Sequence, residues 1–175
     1  MADEEPKPPR VFPPNAIHLV RTTQTINVTL SQMADQKASI LMGATFVVFT
    51  ISVGQASKHG QTVALSVLIL FAFLSAMLAV FAIMPAVRPM PNTARNILFF
   101  GWFTQMDEAD YVEEVLDDLE SDEVMYRTML HDIYQNGMVL QHKKYRYLGY
   151  AYRVFLVGLV LTIVCLVGEK MGWII

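Results

Sequence analysis

Three stretches of this chain are apolar on every side over lengths that suit a lipid bilayer. Ala38 to Ala56 and Val63 to Met84 carry no charged residue, and Val154 to Gly168 carries none before Glu169. A spanning helix needs about 20 mostly apolar residues. The second stretch meets this outright. The first meets it with some Ser and Thr, whose hydroxyls can bond back to their own helix. The third reaches span length by continuing through "EKMGWII", with Trp173 at the interfacial aromatic belt. A helix apolar all round has no face left for water, so buried helices of a soluble bundle are the weaker reading. The pattern predicts an all-α integral membrane protein with spans at about 38–56, 63–84 and 153–173, preceded by a tail over 1–15.

Outside the spans the pattern predicts more helix. No Gly or Pro interrupts Ala16 to Lys37, so the first span is expected to continue a helix that begins well ahead of the bilayer. Tyr111 to Tyr152 is likewise interrupted only by Gly137 and Gly149 among good helix formers. The two long helices would form a stalk over residues 85–152. The prolines of "MPAVRPMPN" end the second span. "NILFFGWF" then reads as an apolar knot packed under the bilayer or on the stalk, with partner docking as the alternative. "MDEADYVEEVLDDLESDE" reads as a solvated amphipathic helix with Tyr111, Val115 and Leu119 on its apolar face.

Small and polar residues recur every seven positions in the first long helix, at Gln24, Ser31, Ala38, Thr45 and Ser52. In lipid such a seam marks close helix–helix contact, because small side chains let backbones approach. Ala72, Ala76 and Ala79 form a similar seam in the second span, and Ala151, Gly158 and Cys165 in the third. Two readings stand. The seams pack the three helices of one chain, or the first faces a symmetry axis of a homo-oligomer and lines a pore on rearrangement.

Charge sets the orientation. Of the 13 lysines and arginines, all but Lys58 and Lys170 precede the first span or lie between the second and third. This places the N-terminus and the long loop in the cytoplasm and the C-terminus outside. The tail "MADEEPKPPRVFPPN" holds five of the eight prolines and is expected to be disordered, with no secretory signal. The overall balance of −3 and the lack of a basic, aromatic-interleaved stripe give no footprint for nucleic acid. The one cysteine, Cys165, lies inside a span and excludes a disulfide framework or a Cys-based metal site.

The charged residues at the membrane edge are the candidates for function. Asp35 and Lys37 are two positions apart and so point to nearly opposite sides of their helix. Asp132, Asn136, Lys143, Arg146 and Tyr150 fall on one stripe at roughly 100° per residue. Asp35 is therefore expected to clamp the two long helices through Lys143 or Arg146, with Lys37 facing lipid phosphate or an anionic ligand. Asp35, Lys37 and Asp132 are the latch candidates. No Gly-rich phosphate loop, nucleophile elbow or HExxH occurs. His131-Asp132 matches a pair used by metal phosphohydrolases, but the further histidines that chemistry needs are missing. The expectation is a protein without enzymatic activity, cofactor or metal.

The blocks "NVTLSQMADQKASILMGATF", "NILFFGWF", Tyr111 and "LHDIYQNGMVLQHKKYRYLGYAYRVFLVGL" occur in this order over roughly residues 20–168. In them the chain resembles the transmembrane Pycsar effectors of bacterial antiphage defence. The resemblance implies an inner-membrane effector, partnered functionally with a cyclase that makes cCMP or cUMP, which disrupts the membrane and aborts infection. A β-barrel nucleotide-binding module, with its Gly-Glu and downstream Arg, has no counterpart here. A nucleotide sensed directly must then be held by helices. The candidates are Lys143, Lys144 and Arg146 for the phosphate and Asn136 and Tyr147 for the base. Basic residues meeting anionic lipid are the competing reading of the same cluster. A constitutive membrane scaffold or a small channel subunit docking a cytosolic partner are the alternatives in function.

Overall fold

The computed structural model describes residues 10–85 and 94–173. Its elements are α1 (Ala16–His59), α2 (Val63–Ile83), α3 (Phe100–Phe103), α4 (Glu108–Leu119), α5 (Asp122–Val139), a π-helical turn (Leu140–Tyr145) and α6 (Arg146–Lys170). There is no strand among the described residues, and three helical runs are long and apolar enough to cross a membrane. The helix expected ahead of the first span is therefore present, as one unbroken α1. The helix expected from Tyr111 to Tyr152 is not continuous. It breaks at Glu120-Ser121, where Asp117, Asp118 and Glu120 crowd the C-terminus of α4 and Asp122 and Glu123 open α5. Asp122 and Glu123 complement the dipole at the start of α5, whereas Asp117, Asp118 and Glu120 weaken the last turn of α4, so a new helix start is favoured over continuation.

The chain divides into two units. One, the bundle, comprises Thr29–Pro85 and Met138–Ile175. Its helices α1 and α2 are joined by a tight connection in which Gly60 takes φ 90°, a left-handed conformation that costs glycine little. Thr62 caps α2 by accepting from the Leu65 amide at 3.2 Å. The far end of α6 returns to the same place, where Glu169 accepts from the Ala64 amide at 3.0 Å. A carboxylate is well placed there, since helix N-termini leave amides unsatisfied and carry positive partial charge.

The seams fill the interior of this bundle. Ala34 and Ala38 of α1 meet Ala82 of α2 and Leu148 of α6, and Leu41, Ala79 and Ala151 form the next layer. Thr45 and Ser52 are buried and return their hydroxyls to Leu41 and Val48 carbonyls of their own helix, at 2.9 and 2.7 Å. Ser75 instead donates across to the Ala151 carbonyl at 2.8 Å. Gly158 lies so close to α2 that a Cβ there would come within 2.2 Å of the Phe71 Cβ. Within the single chain, Ala38, Thr45 and Ser52 of the stripe are buried. The large apolar side chains, such as Phe46, Ile51, Phe73, Leu156 and Val160, point outward.

The other unit comprises Met1–Val28 and Ala86–Gly137. Its core is Val20, Tyr126 and Ile133, covered by Phe12, Ile17, Met125 and Met129. Of the tail expected over 1–15, residues 1–9 lie outside the described ones. Phe12 packs its ring on Tyr126, centroids 4.8 Å apart. The apolar knot folds onto its own unit. Ile97 and Gly101 are buried, and Phe103 stacks at 5.0 Å on Tyr111 of α4. The acidic α4 has no buried residue, as befits a wet helix.

Candidate functional site

Asp35 has the partner type expected of it, one position along. Lys144 Nζ donates to Asp35 Oδ2 at 2.6 Å and to Ser31 Oγ at 2.7 Å. The expected partners do otherwise. Lys143 reaches the Pro85 carbonyl at 3.4 Å, and Arg146 lies 5.8 Å from the centre of the Tyr150 ring. The cause is the π-helical turn at Leu140–Tyr145. A π-turn takes one more residue than an α-turn, so every position beyond it lags by one residue, about 100°, behind a straight helix. The lag carries the expected stripe of Lys143, Arg146 and Tyr150 to Lys144, Tyr147 and Ala151, and Leu148 beside Tyr147 also faces inward. Leu148 and Ala151 are buried and Tyr150 is exposed.

The rest of the clamp follows from the same register. Tyr145 donates its hydroxyl to the Leu30 carbonyl at 3.3 Å, and Tyr152 donates to the Lys37 carbonyl at 3.4 Å. The Lys37 side chain is exposed. Ser31 joins the clamp, while Ala38, Thr45 and Ser52 continue the buried seam beyond it. Asp35 Oδ1 is shielded from solvent with no hydrogen-bond donor among the described residues. One oxygen of this carboxylate thus carries the whole attachment, and the other gains nothing from its burial.

Asp132 and Asn136 belong to the other unit and are engaged with each other. Asp132 is buried, and accepts from Asn96 at 3.0 Å through Oδ1 and from Asn136 at 2.9 Å through Oδ2. Asn96 is itself buried and also donates to Gln135 at 3.0 Å, while its Oδ1 accepts from the Leu98 amide at 3.0 Å. Gln135 donates to the Ala94 carbonyl and to His131 Nε2, each at 2.8 Å. The network pins the segment 94–98 to α5. The His131-Asp132 pair is thus used for hydrogen bonding within the fold. Tyr147 packs against the bundle, its ring 6.0 Å from that of Phe81. Of the residues expected to hold a phosphate and a base, Lys144, Asn136 and Tyr147 are thus all committed to contacts within their own units.

A second cluster was not visible in the sequence, where its arginines figured only as orientation charges. A cleft of about 690 Å³ is lined by Arg10, Arg95 and Arg127, with Asn96, Thr128 and His131 and the carboxylates of Glu114 and Asp118. Arg127 donates to Glu123 at 2.6 Å, and Arg10 lies 3.9 Å from the same carboxylate. Arg95 donates to Glu114, and Thr128 to Asp118 at 2.8 Å. The Arg127 hydrogen bond holds the Glu123 carboxyl below its ordinary carboxylate range, against a smaller opposing effect of burial.

Uniformly apolar helices, a seam of small residues and an ion-paired clamp define an all-α protein of the three-span membrane class. The chain matches the Pycsar effector protein domain, PycTM, over residues 18–168, and belongs to that family. None of the curated proteins and none of the solved structures compared matches it.

Proposed function

We propose that this protein is a non-enzymatic antiphage effector of the bacterial inner membrane. It responds to cCMP or cUMP from a partner cyclase by compromising the membrane, which aborts infection. The observation that carries the reading is the family match over 18–168, which takes in all three spans and the clamp. The packed interior of the bundle suits a closed resting state. Ala38, Thr45 and Ala79 are wholly buried, so one chain offers ions no wet path between its helices. Leakage then requires copies of the chain to rearrange, in a homo-oligomer with the N-terminus cytoplasmic and the C-terminus outside. A nucleotide drives that change by binding the leaky assembly more tightly than the closed one. The Asp35–Lys144 pair is the natural latch, because it joins the first and third spans where they leave the apolar zone.

The test is dye release from liposomes holding the purified protein, with cCMP, cUMP, cAMP and cGMP added separately. Release with a pyrimidine nucleotide alone supports the reading. Silence with all four, together with harmless co-expression with a pyrimidine cyclase, would return the protein to the class of membrane scaffolds.

A further inference from the structure

We infer that the arginine-lined cleft of the unit Met1–Val28 and Ala86–Gly137 is the anion site of this protein, taking the cyclic phosphodiester of a nucleotide. The inference rests on the proposed function for the identity of the ligand, and on the cleft for its place. Small-molecule sites fall at roughly 300–1,000 Å³, and this cleft of about 690 Å³ can hold a cyclic mononucleotide. Its guanidiniums come from three separate segments: Arg10 ahead of α1, Arg95 ahead of α3 and Arg127 on α5. Guanidinium forks match phosphate oxygens geometrically and remain charged at any relevant pH.

The cations are not free in this structure, and that is informative. Arg10 and Arg127 share the single carboxylate of Glu123, and Arg95 is held by Glu114. Three cations thus answer to two carboxylates. The guanidiniums of all three pairs are exposed and the carboxylates partly so, which makes each pair weak and readily exchanged. An incoming phosphodiester takes over guanidinium donors that the carboxylates hold in its absence, and ties three segments that otherwise have separate partners. Thr128 and His131 line the same cleft and supply polar contacts for ribose or base. The basic cluster at Lys143, Lys144 and Arg146 has no comparable arrangement, since Lys144 is consumed by Asp35 and Ser31.

Calorimetric titration of the full chain in nanodiscs tests this with cCMP, cUMP, cAMP, cGMP and inorganic phosphate. The expected result is binding of a pyrimidine cyclic nucleotide, weakened at least about tenfold by Arg95→Gln or Arg127→Gln. Glu114→Gln, which releases Arg95 from its carboxylate, is expected to tighten binding several-fold, a gain that misfolding cannot imitate. Unchanged affinity in both arginine variants and in Glu114→Gln overturns the site. So does loss of binding in Lys143→Gln or Arg146→Gln alone, or binding of inorganic phosphate as tightly as of the nucleotide. In each case nucleotide-triggered dye release by the wild-type chain leaves the effector reading standing. Absence of nucleotide binding by wild type removes the site, and dye release then reports separately on the effector reading.

Discussion

Lys144 is hydrogen-bonded to Asp35 at 2.6 Å across 109 positions of sequence, and it reaches that carboxylate because a π-turn has moved it one residue around the helix. The side chain of Lys144 is mostly buried while that of Asp35 is partly exposed, so the pair lies between a surface and an interior ion pair. Breaking it from one side is expected to cost on the order of 1–2 kcal/mol, through the cation left behind. Asp35→Lys should destabilise the bundle by about this much in a denaturant titration in detergent. Adding Lys144→Asp should recover much of the loss. Lys143→Asp in the same background should not, and recovery with it would refute the observed register.

The π-turn makes a second prediction, about deletion. A π-turn is an α-helix with one residue inserted. Removing the exposed Gln141 should let the helix close to α while Lys144, Leu148 and Ala151 keep their direction. Removing Val154 beyond the turn instead rotates the rest of α6 by about 100° and turns its seam outward. Thermal unfolding should show the first deletion tolerated and the second not. Equal damage from both would argue against the π-turn.

Gly158 tests the close approach of α2 and α6. Gly158→Ala places a methyl against the Phe71 Cβ and Cγ, which sit at 2.2 and 2.7 Å from the ideal position. The expected loss is about 1–3 kcal/mol, typical of overpacking. Phe71→Ala should fail to rescue it, because the nearest obstacle is the Phe71 Cβ, which alanine keeps. Full rescue by Phe71→Ala would mean that the ring, and not the backbone spacing, sets the contact.

Asp132 tests the polar network of the other unit. Asp132→Ala strips acceptors from both Asn96 and Asn136, and the buried Asn96 suffers most. A loss of about 1–3 kcal/mol is expected. Hydrogen exchange should quicken first at Leu98, whose amide donates to Asn96. Asp132→Asn keeps the shape but retains one carbonyl acceptor, and should fall between alanine and wild type. An alanine variant with unaltered exchange at Leu98 would show that the network does not hold this segment.

Much of this architecture is written locally. The three spans follow from uncharged runs, the end of α2 from Pro85, and the inward seam from small residues at a seven-residue interval, since each depends on neighbours within a turn or two. The start of a new helix after Leu119 was also encoded, in the acidic first turn of Asp122 and Glu123, although a search for Gly and Pro alone passes over the signal. Sequence by itself thus determined an all-helical chain with three spans, and that Asp35 needs a partner from a distant segment. The choice of Lys144 over Lys143 belongs to the tertiary structure. "LQHKKY" has no feature forbidding an ordinary helix, and the extra residue is accommodated where it lets Leu148 and Ala151 pack inward. The meeting of Arg10, Arg95 and Arg127 is likewise decided by the fold, because they are brought together by packing of the segments that carry them and by nothing in their local sequence.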